Sequence, residues 1–560
     1  MDSTALDCDV LVIGSGAAGL ATAVTAAHHG LQVIVAEKAE VLGGTSAWSG
    51  GWMWIPRNPL AVEEGFVEEA GAAERYLCAE LGRDRLDARQ LAYLHHGPRM
   101  VDFFRRHTRV QFFSGSRMPD MRESPGFAPG GRSLCARPFD GRALGDWIHK
   151  LRPPLDLISL GGMGIAGGAD LTHFLNATRR PRSAVHAATR LYRHGRDRLL
   201  RGRGLHLVNG NALVARLLRS ALDAGVTLLT EHAAIELTRY ANSVTGAWLQ
   251  HHGRPLQVVA RRGVVLACGG YPHDRTRLAE LGQQHHSAAP ESNSGDGLRL
   301  GEAVGAQLAT DLAQPAAWVP VSLMPRRDGS TGAFPHLMER AKPGFIAVRS
   351  DGRRFTNEAD CYHDFMQDLF ASTPEGEQPH AWLIAEAPAQ RRYGLGAARP
   401  FPFPLRRFLR TGYLQCGATL AELAKRCGID ALQLQRTVAE FNQHALVGED
   451  PLFGRGGSAY NRAQGEPLHG PNPSLGPLTR GPFFAVRLLP GSLGTFAGLR
   501  TDANARVIDQ GNQPIAGLFA VGNDMASVMD GHYPSGGITL GPGMTFGYLA
   551  GLALAERERA

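Results

Sequence analysis

Near the carboxyl end, Tyr533 and Ser535 place two hydroxyls beside the backbone N–H groups of Gly536 and Gly537. The run continues through Ile538, Thr539, Leu540, Gly541 and Pro542, whose small residues and proline suit the first turn of a helix. Hydroxyl and N–H donors converging from one turn can hold a carbonyl oxygen. The positive end of the helix can hold the negative charge of a reduced ring cofactor. A carbonyl substrate and a ring cofactor are thus the chemistry to look for in the remaining residues.

The cofactor signal lies at the other end of the chain. Asp9-Val10-Leu11-Val12-Ile13 reads as a buried parallel strand running into Gly14-Ser15-Gly16-Ala17-Ala18-Gly19. An alanine-rich helix to Gly30 follows, then a second strand, Val33 to Ala36, capped by Glu37. Strand, GxGxxG, helix, strand and acid make up the dinucleotide-binding βαβ pattern. Its glycines let backbone approach a pyrophosphate at a helix N-terminus, and Glu37 can accept ribose hydroxyls. Gly43-Gly44-Thr45-Ser46 and Ser49-Gly50-Gly51 come directly after the acid, where a second loop could reach the same pyrophosphate.

The chain has 560 residues, too many for one core, so two domains are expected. Hydrophobic content of 43% and charged content of 20% are those of a soluble globular enzyme. The start, Met1 to Asp7, has no basic region and no cleavable apolar core, which predicts a cytoplasmic address. Seven cysteines, odd in number and without a CxxC, predict reduced thiols rather than a metal site or a disulfide framework. The net charge of +7 is concentrated between Arg179 and Arg203, where nine arginines face the single acid Asp197. Without aromatic platforms the run argues against nucleic acid. A solvated helical face is its plain reading, and weak contact with an anionic membrane surface is the sharper one.

Between Trp52 and Arg203 the pattern predicts amphipathic helices near 63–81 and 88–107 and says little of chemistry. A helix is expected from Asn209. Strands at Val226–Leu229, Ala234–Leu237 and Val264–Ala267 should extend the first sheet, and a last apolar strand, Gly517 to Val521, ends at Gly522-Asn523-Asp524. The expected division is 1–283 and 479–560 for the cofactor domain, with 284–478 inserted between. In the inserted part Asp351-Gly352, after the strand-like Phe345 to Val348, predicts a hairpin turn.

The ordered set GSGAAG with Glu37, GGTSAWSGG, VVLACGG, GDG, GRRFTNE and GLFAVGN…YPSGGITLGPGMTFGYLAG spans nearly the whole chain. It resembles the fumarate reductase and succinate dehydrogenase flavoproteins, and within them the 3-ketosteroid Δ1-dehydrogenases. The resemblance implies an α/β fold: a Rossmann-type FAD-binding domain formed from both chain ends, with an inserted α+β catalytic domain. It implies FAD held by Gly14, Ser15, Gly16, Ala17, Ala18, Gly19, Glu37, Lys38, Gly44, Thr45, Ser46, Ser49, Gly50, Gly51, Ala234, Gly269, Asp296, Gly522, Asn523, Gly536 and Leu540. An electron acceptor of unknown identity completes the cycle.

Tyr362, in Asn357-Glu358-Ala359-Asp360-Cys361-Tyr362, stands where the similar fumarate reductases have a proton-delivering arginine. The resemblance makes Tyr362 the base for an α proton. Tyr533 and the Gly537 N–H would hold the ketone oxygen, and the β hydride would pass to flavin N5. Such a base needs its phenol pKa, ordinarily about 10, lowered by neighbouring charge or hydrogen bonds, with Arg340, Arg353 and Arg354 as candidates. The chain departs from the family at Met118-Pro119-Asp120-Met121, where a further tyrosine is usual, and at Ser535, which is similar to the Tyr-x-Ser of Δ4-(5α)-ketosteroid dehydrogenases. Other readings stay open: Δ4-(5α) dehydrogenation, a smaller cyclic ketone, a fumarate-reductase-like ene reductase, or an inactive flavin-binding relative. An FAD subunit docked on an iron–sulfur partner has no support in the cysteine spacing.

Overall fold

The computed structural model of the protein describes residues 5–280, 284–326 and 328–556. Met1 to Thr4, part of the expected leaderless start, and the expected boundary at 283 lie outside the described residues.

The first sheet grows from the predicted βαβ unit. Ala5–Ile13 pairs in parallel with Val33–Glu37 on one side and with Arg254–Leu266 on the other. Thr227–Thr230 extends it beyond Val33–Glu37, and Pro514–Ala520 lies parallel to Arg254–Leu266. Ala233–Tyr240 joins through the neighbouring antiparallel strand Ser243–His251. Near-continuous burial of Val10 to Ile13 and of Val33 to Ala36 is what a parallel sheet covered on both faces requires. One cover is the helix Ala17–His28, packed against the C-terminal helix Leu540–Glu556. Glycines permit that approach: a Cβ at Gly547 would lie 2.5 Å from the Ala18 carbonyl oxygen, and one at Gly551 2.6 Å from Thr25 Cβ. Both chain ends therefore build one sheet and its covering layer.

The second sheet is antiparallel and runs Thr331–Pro335, Ala316–Pro325, Phe483–Thr495, Ala381–Glu386, Phe345–Val348. Its long middle strand, Phe483–Thr495, also pairs with His286–Ser287 and Gln415–Gly417. The boundary expected at 478 therefore cuts off the strand on which this sheet is built. The largely apolar run of 483–495 carries no mark of which sheet will claim it.

Asp351-Gly352 does turn the chain, with Gly352 N–H donating to the Arg349 carbonyl at 2.9 Å, but the next element is the helix Tyr362–Ser372, and the strand that pairs with Phe345–Val348 is the later Ala381–Glu386. Arg354 and Glu358 are drawn into a buried ion cluster instead of a ladder. The arginine run forms the helix Pro181–Arg201, most of it exposed. No helix among the described residues is long and apolar enough to cross a membrane.

Candidate active site

The cofactor end is built where strands of the first sheet stop. Gly14 has φ +109°, and a Cβ there would meet the Ala267 carbonyl oxygen at 2.2 Å, so the turn closes only on glycine. A Cβ at Gly19 would sit 2.2 Å from the Gly14 carbonyl oxygen; Gly19 packs helix on turn and does not line the cavity. Glu37, at the end of its strand, accepts from the Ser15 N–H at 3.2 Å and Ser15 Oγ at 2.6 Å, and from the Ala39 N–H at 3.0 Å. Those bonds fix the carboxylate and use part of its acceptor capacity before any ribose arrives.

Distant segments are tied together around this turn. Lys38 pairs with Asp296 and donates to Ser294 Oγ at 2.7 Å. Ser46 Oγ accepts from the Ala17 N–H at 3.0 Å, bringing the glycine–serine loop onto the helix start. Asn293, which sequence reasoning missed, donates to Thr45 Oγ1 at 2.9 Å and to the Gly269 carbonyl at 3.1 Å. Its signal was the polar run Ser292-Asn293-Ser294 ahead of Gly295-Asp296-Gly297. Asp524 accepts from the Cys268 N–H at 2.5 Å and the Gly270 N–H at 2.9 Å, joining the C-terminal strand to the Val264–Gly270 segment. Burial pushes its carboxyl up to about 6.

These segments surround one cavity of about 1460 Å³, whose wall also includes Tyr362, Tyr533 and Gly537. It exceeds the roughly 300–1,000 Å³ of a single-ligand pocket, leaving room for a dinucleotide and a substrate together. Gly14 to Ala18, Glu37, Lys38, Gly44, Thr45, Ser46, Ser49, Gly50, Gly51, Ala234, Gly269, Asp296, Gly522, Asn523, Gly536 and Leu540 all lie on its wall. A helix N-terminus, a strand-end carboxylate and a glycine-lined groove in series are the donor set that FAD requires. The same wall carries the apolar Leu155, Leu157, Leu171, Phe174, Phe401 and Phe403, with Asp170 and Arg399 among them. The helix Pro181–Arg201 contributes Ala184, Ala187, Ala188 and Leu191, so the expected solvated helix has a second face on the cavity.

At the reacting end, Tyr362 opens the helix Tyr362–Ser372, and its hydroxyl lies 2.5 Å from that of Tyr533. Gly537 has φ +100°, and a Cβ would meet the Trp52 carbonyl oxygen at 2.6 Å. Its N–H donates to no acceptor among the described residues. Ser535 is buried but is not on the cavity wall. Met121 and Met118 cover Gly536: a Cβ on that glycine would be 3.6 Å and 3.4 Å from their Cε atoms.

The electrostatics correct one expectation. Burial, and then the Tyr533 hydroxyl, push the Tyr362 phenol well above its ordinary value, and burial raises Tyr533 as well. The three arginines expected to lower Tyr362 are placed elsewhere. Arg354 is held by Glu358 and Asp450, Arg340 donates to the carbonyls of His336, Glu358 and Asp360, and Arg353 is exposed. Neighbouring His363 is also kept neutral, lowered by burial to about 3.

A family model described as "FAD binding domain" matches residues 9–540. The crystal structure of 3-ketosteroid Δ1-dehydrogenase from Sterolibacterium denitrificans, in complex with 1,4-androstadiene-3,17-dione, superimposes with a TM-score of 0.90 at 34% identity, covering 98% of this chain and 99% of that one. The chain belongs to the FAD-dependent 3-ketosteroid Δ1-dehydrogenase family. Two family relatives align end to end. "3-Oxosteroid 1-dehydrogenase" of Mycobacterium tuberculosis is 35% identical over 99% of both chains. "4-Oxocyclohex-2-ene-1-carboxylate 5-dehydrogenase" of Sinomonas cyclohexanicum is 39% identical over 99% of this chain and 94% of its own. The protein is thus an FAD-dependent oxidoreductase that dehydrogenates cyclic ketones.

Proposed function

We propose that the substrate is a 3-ketosteroid and that the bond desaturated is C1–C2. The observation that carries this reading is the volume of the cavity, about 1460 Å³, and the many apolar residues that share its wall with the tyrosine pair, which offer a fused-ring body far more surface than a single ring would use. In this reading the ketone oxygen lies between the Tyr533 hydroxyl and the Gly537 N–H. As the α proton leaves, negative charge gathers on that oxygen, and two fixed donors in a water-poor site stabilise it; losing one donor of such a pair costs about 3 kcal/mol. Tyr362 takes the α proton. Bound FAD supplies the electron sink for the β hydride, so the ketone loses one proton and one hydride and leaves as the enone.

The tight Tyr362–Tyr533 contact supports both roles: one hydroxyl donates to the other, and proton removal from either is shared with its neighbour. With burial favouring the neutral phenol, the proposed base gains its reactive form as pH rises. Met121 in place of a further tyrosine, together with the 39% identical relative, favours a second reading, dehydrogenation of a smaller cyclic ketone. Ser535, away from the cavity wall, gives the Δ4-(5α) alternative little to work with. The helix Pro181–Arg201 carries exposed Val185, Tyr192 and Leu199 among its arginines, a composition suited to weak contact with an anionic membrane surface.

The test is anaerobic mixing of the flavoprotein with a 3-keto-4-ene steroid, a saturated 3-ketosteroid and 4-oxocyclohexanecarboxylate, following flavin bleaching and identifying products. Bleaching by the 4-ene steroid with a 1,4-diene product is the expected result. A 4-ene product from the saturated steroid alone would move the assignment to the Δ4 bond, and bleaching by the small ketone alone would replace the steroid.

A further inference from the structure

Segment 118–124 does more than place two methionines over Gly536. Arg122, the next residue, sends its guanidinium between the two stretches of chain that carry the paired hydroxyls. One nitrogen pairs with Asp364, two residues beyond Tyr362 in the first turn of the same helix. The other pairs with Glu80 and reaches the Tyr533 carbonyl oxygen at 3.4 Å. Glu80 ends the helix Ala72–Glu80, and one turn earlier Tyr76 donates to the Pro534 carbonyl at 2.7 Å. Ser124 Oγ donates to the second oxygen of Glu80 at 2.5 Å, orienting the carboxylate toward Arg122. Two successive carbonyls, those of Tyr533 and Pro534, are thus held from one helix, and the guanidinium carries the hold across to the helix of Tyr362.

We infer that Arg122 is a positioning residue for the dehydrogenation, bridging Asp364, Glu80 and the Tyr533 carbonyl so that the two hydroxyls stay in register. Tyr362 and Tyr533 are 171 positions apart and belong to different parts of the fold, so nothing local fixes their separation. A planar guanidinium with five donors can serve three acceptors at once; an ammonium is a point charge and cannot hold the same fork. Displacing a reacting group by about 1 Å costs on the order of 100-fold in rate. Arg122 does not itself line the cavity and bonds to neither hydroxyl, which makes its effect one of geometry.

This inference rests on Tyr362 and Tyr533 being the reacting hydroxyls, so Tyr362→Phe is measured beside it. The variants Arg122→Gln and Arg122→Lys are prepared as holoenzyme, and three quantities are compared with wild type: bound FAD, the dissociation constant of the dienone product read from the flavin spectrum, and the rate of flavin reduction by a 3-keto-4-ene steroid, protiated or deuterated at the α carbon. The expected result is full FAD content, product affinity within about threefold, reduction slowed about 100-fold in Arg122→Gln and about 10-fold in Arg122→Lys, and a larger α-deuterium isotope effect. Reduction by Arg122→Gln within about threefold of wild type, while Tyr362→Phe is inactive, overturns the inference alone. A rate loss matched by an equal loss of FAD overturns it in favour of a purely structural role. Full activity in Tyr362→Phe removes the underlying reading. Should Arg122→Gln fail to fold, Asp364→Asn, which removes one arm of the bridge, must show a slowing of about 10-fold at unchanged FAD content, and wild-type rates there contradict the inference.

Discussion

Glu358 and Tyr362 are one helical turn apart in sequence, both buried, and electrostatic opposites. Burial alone would raise the Glu358 carboxyl, yet Arg354 and Arg455 hold it down at about 2, with the Ala347 N–H adding a bond at 3.0 Å. Arg354 donates to it at 2.6 and 2.8 Å and also pairs with Asp450, and Arg455 donates at 3.1 Å. Tyr362 has no such company: its oxygen meets another neutral hydroxyl, and burial drives its pKa upward. The lesson is a division of labour. Compensated charge fixes the shape of the inserted region, and the two tyrosine hydroxyls are bonded to each other rather than to a charged group, so that charge developing on them during reaction is felt strongly.

The comparison can be broken first at the tyrosine. Tyr362→Phe is expected to slow flavin reduction by about 10³-fold, within the range of a lost general base, while the thermal midpoint barely moves; single-turnover absorbance and calorimetry give both numbers. Glu358→Ala should do the reverse. Removing one partner of a buried pair costs about 3–5 kcal/mol, so chemical denaturation should show a large loss of stability, exceeding any change in the reduction rate of the molecules that remain folded.

The pH dependences should also diverge. The Glu358 pKa is depressed in the fold, so its contribution is present above the unfolded value of about 4.3 and is lost as pH falls toward about 2. Acid denaturation of wild type should steepen across that window, and Glu358→Gln should flatten it. The Tyr362 pKa is raised, so kcat/KM should climb with pH, approaching about tenfold per pH unit and still rising at pH 9, and the rise should vanish in Tyr362→Phe. The smallest effect belongs to Ser535→Gly: with the side chain off the cavity wall, product identity should not change, as chromatography of the product would report.

Much of this was legible because local chemistry announces itself. GxGxxG between a buried strand and an alanine-rich helix has few other uses, and Tyr362 and Tyr533 stand in motifs that a family resemblance reads at once. What escaped depends on contacts between distant residues. Arg122 is one arginine among many until Glu80, Asp364 and Tyr533 close around it. Asn293 reads as a turn residue until Thr45 approaches. The arginine-rich helix gives no hint that Ala184 and Ala187 face a cavity. The tyrosine pKa was expected in the wrong direction for the same reason: Arg340 and Arg354 are committed to backbone carbonyls and carboxylates of the fold, and neither guanidinium bonds the phenol.

The central claim, that Tyr362 removes the α proton from a ketone held by Tyr533, is tested most directly by stopped-flow reduction of the flavin with a 3-keto-4-ene steroid carrying deuterium at the α carbon. In wild type the account predicts a primary isotope effect on reduction, and in Tyr362→Phe a rate about 10³-fold lower with product still bound normally. Reduction of Tyr362→Phe at the wild-type rate would contradict it.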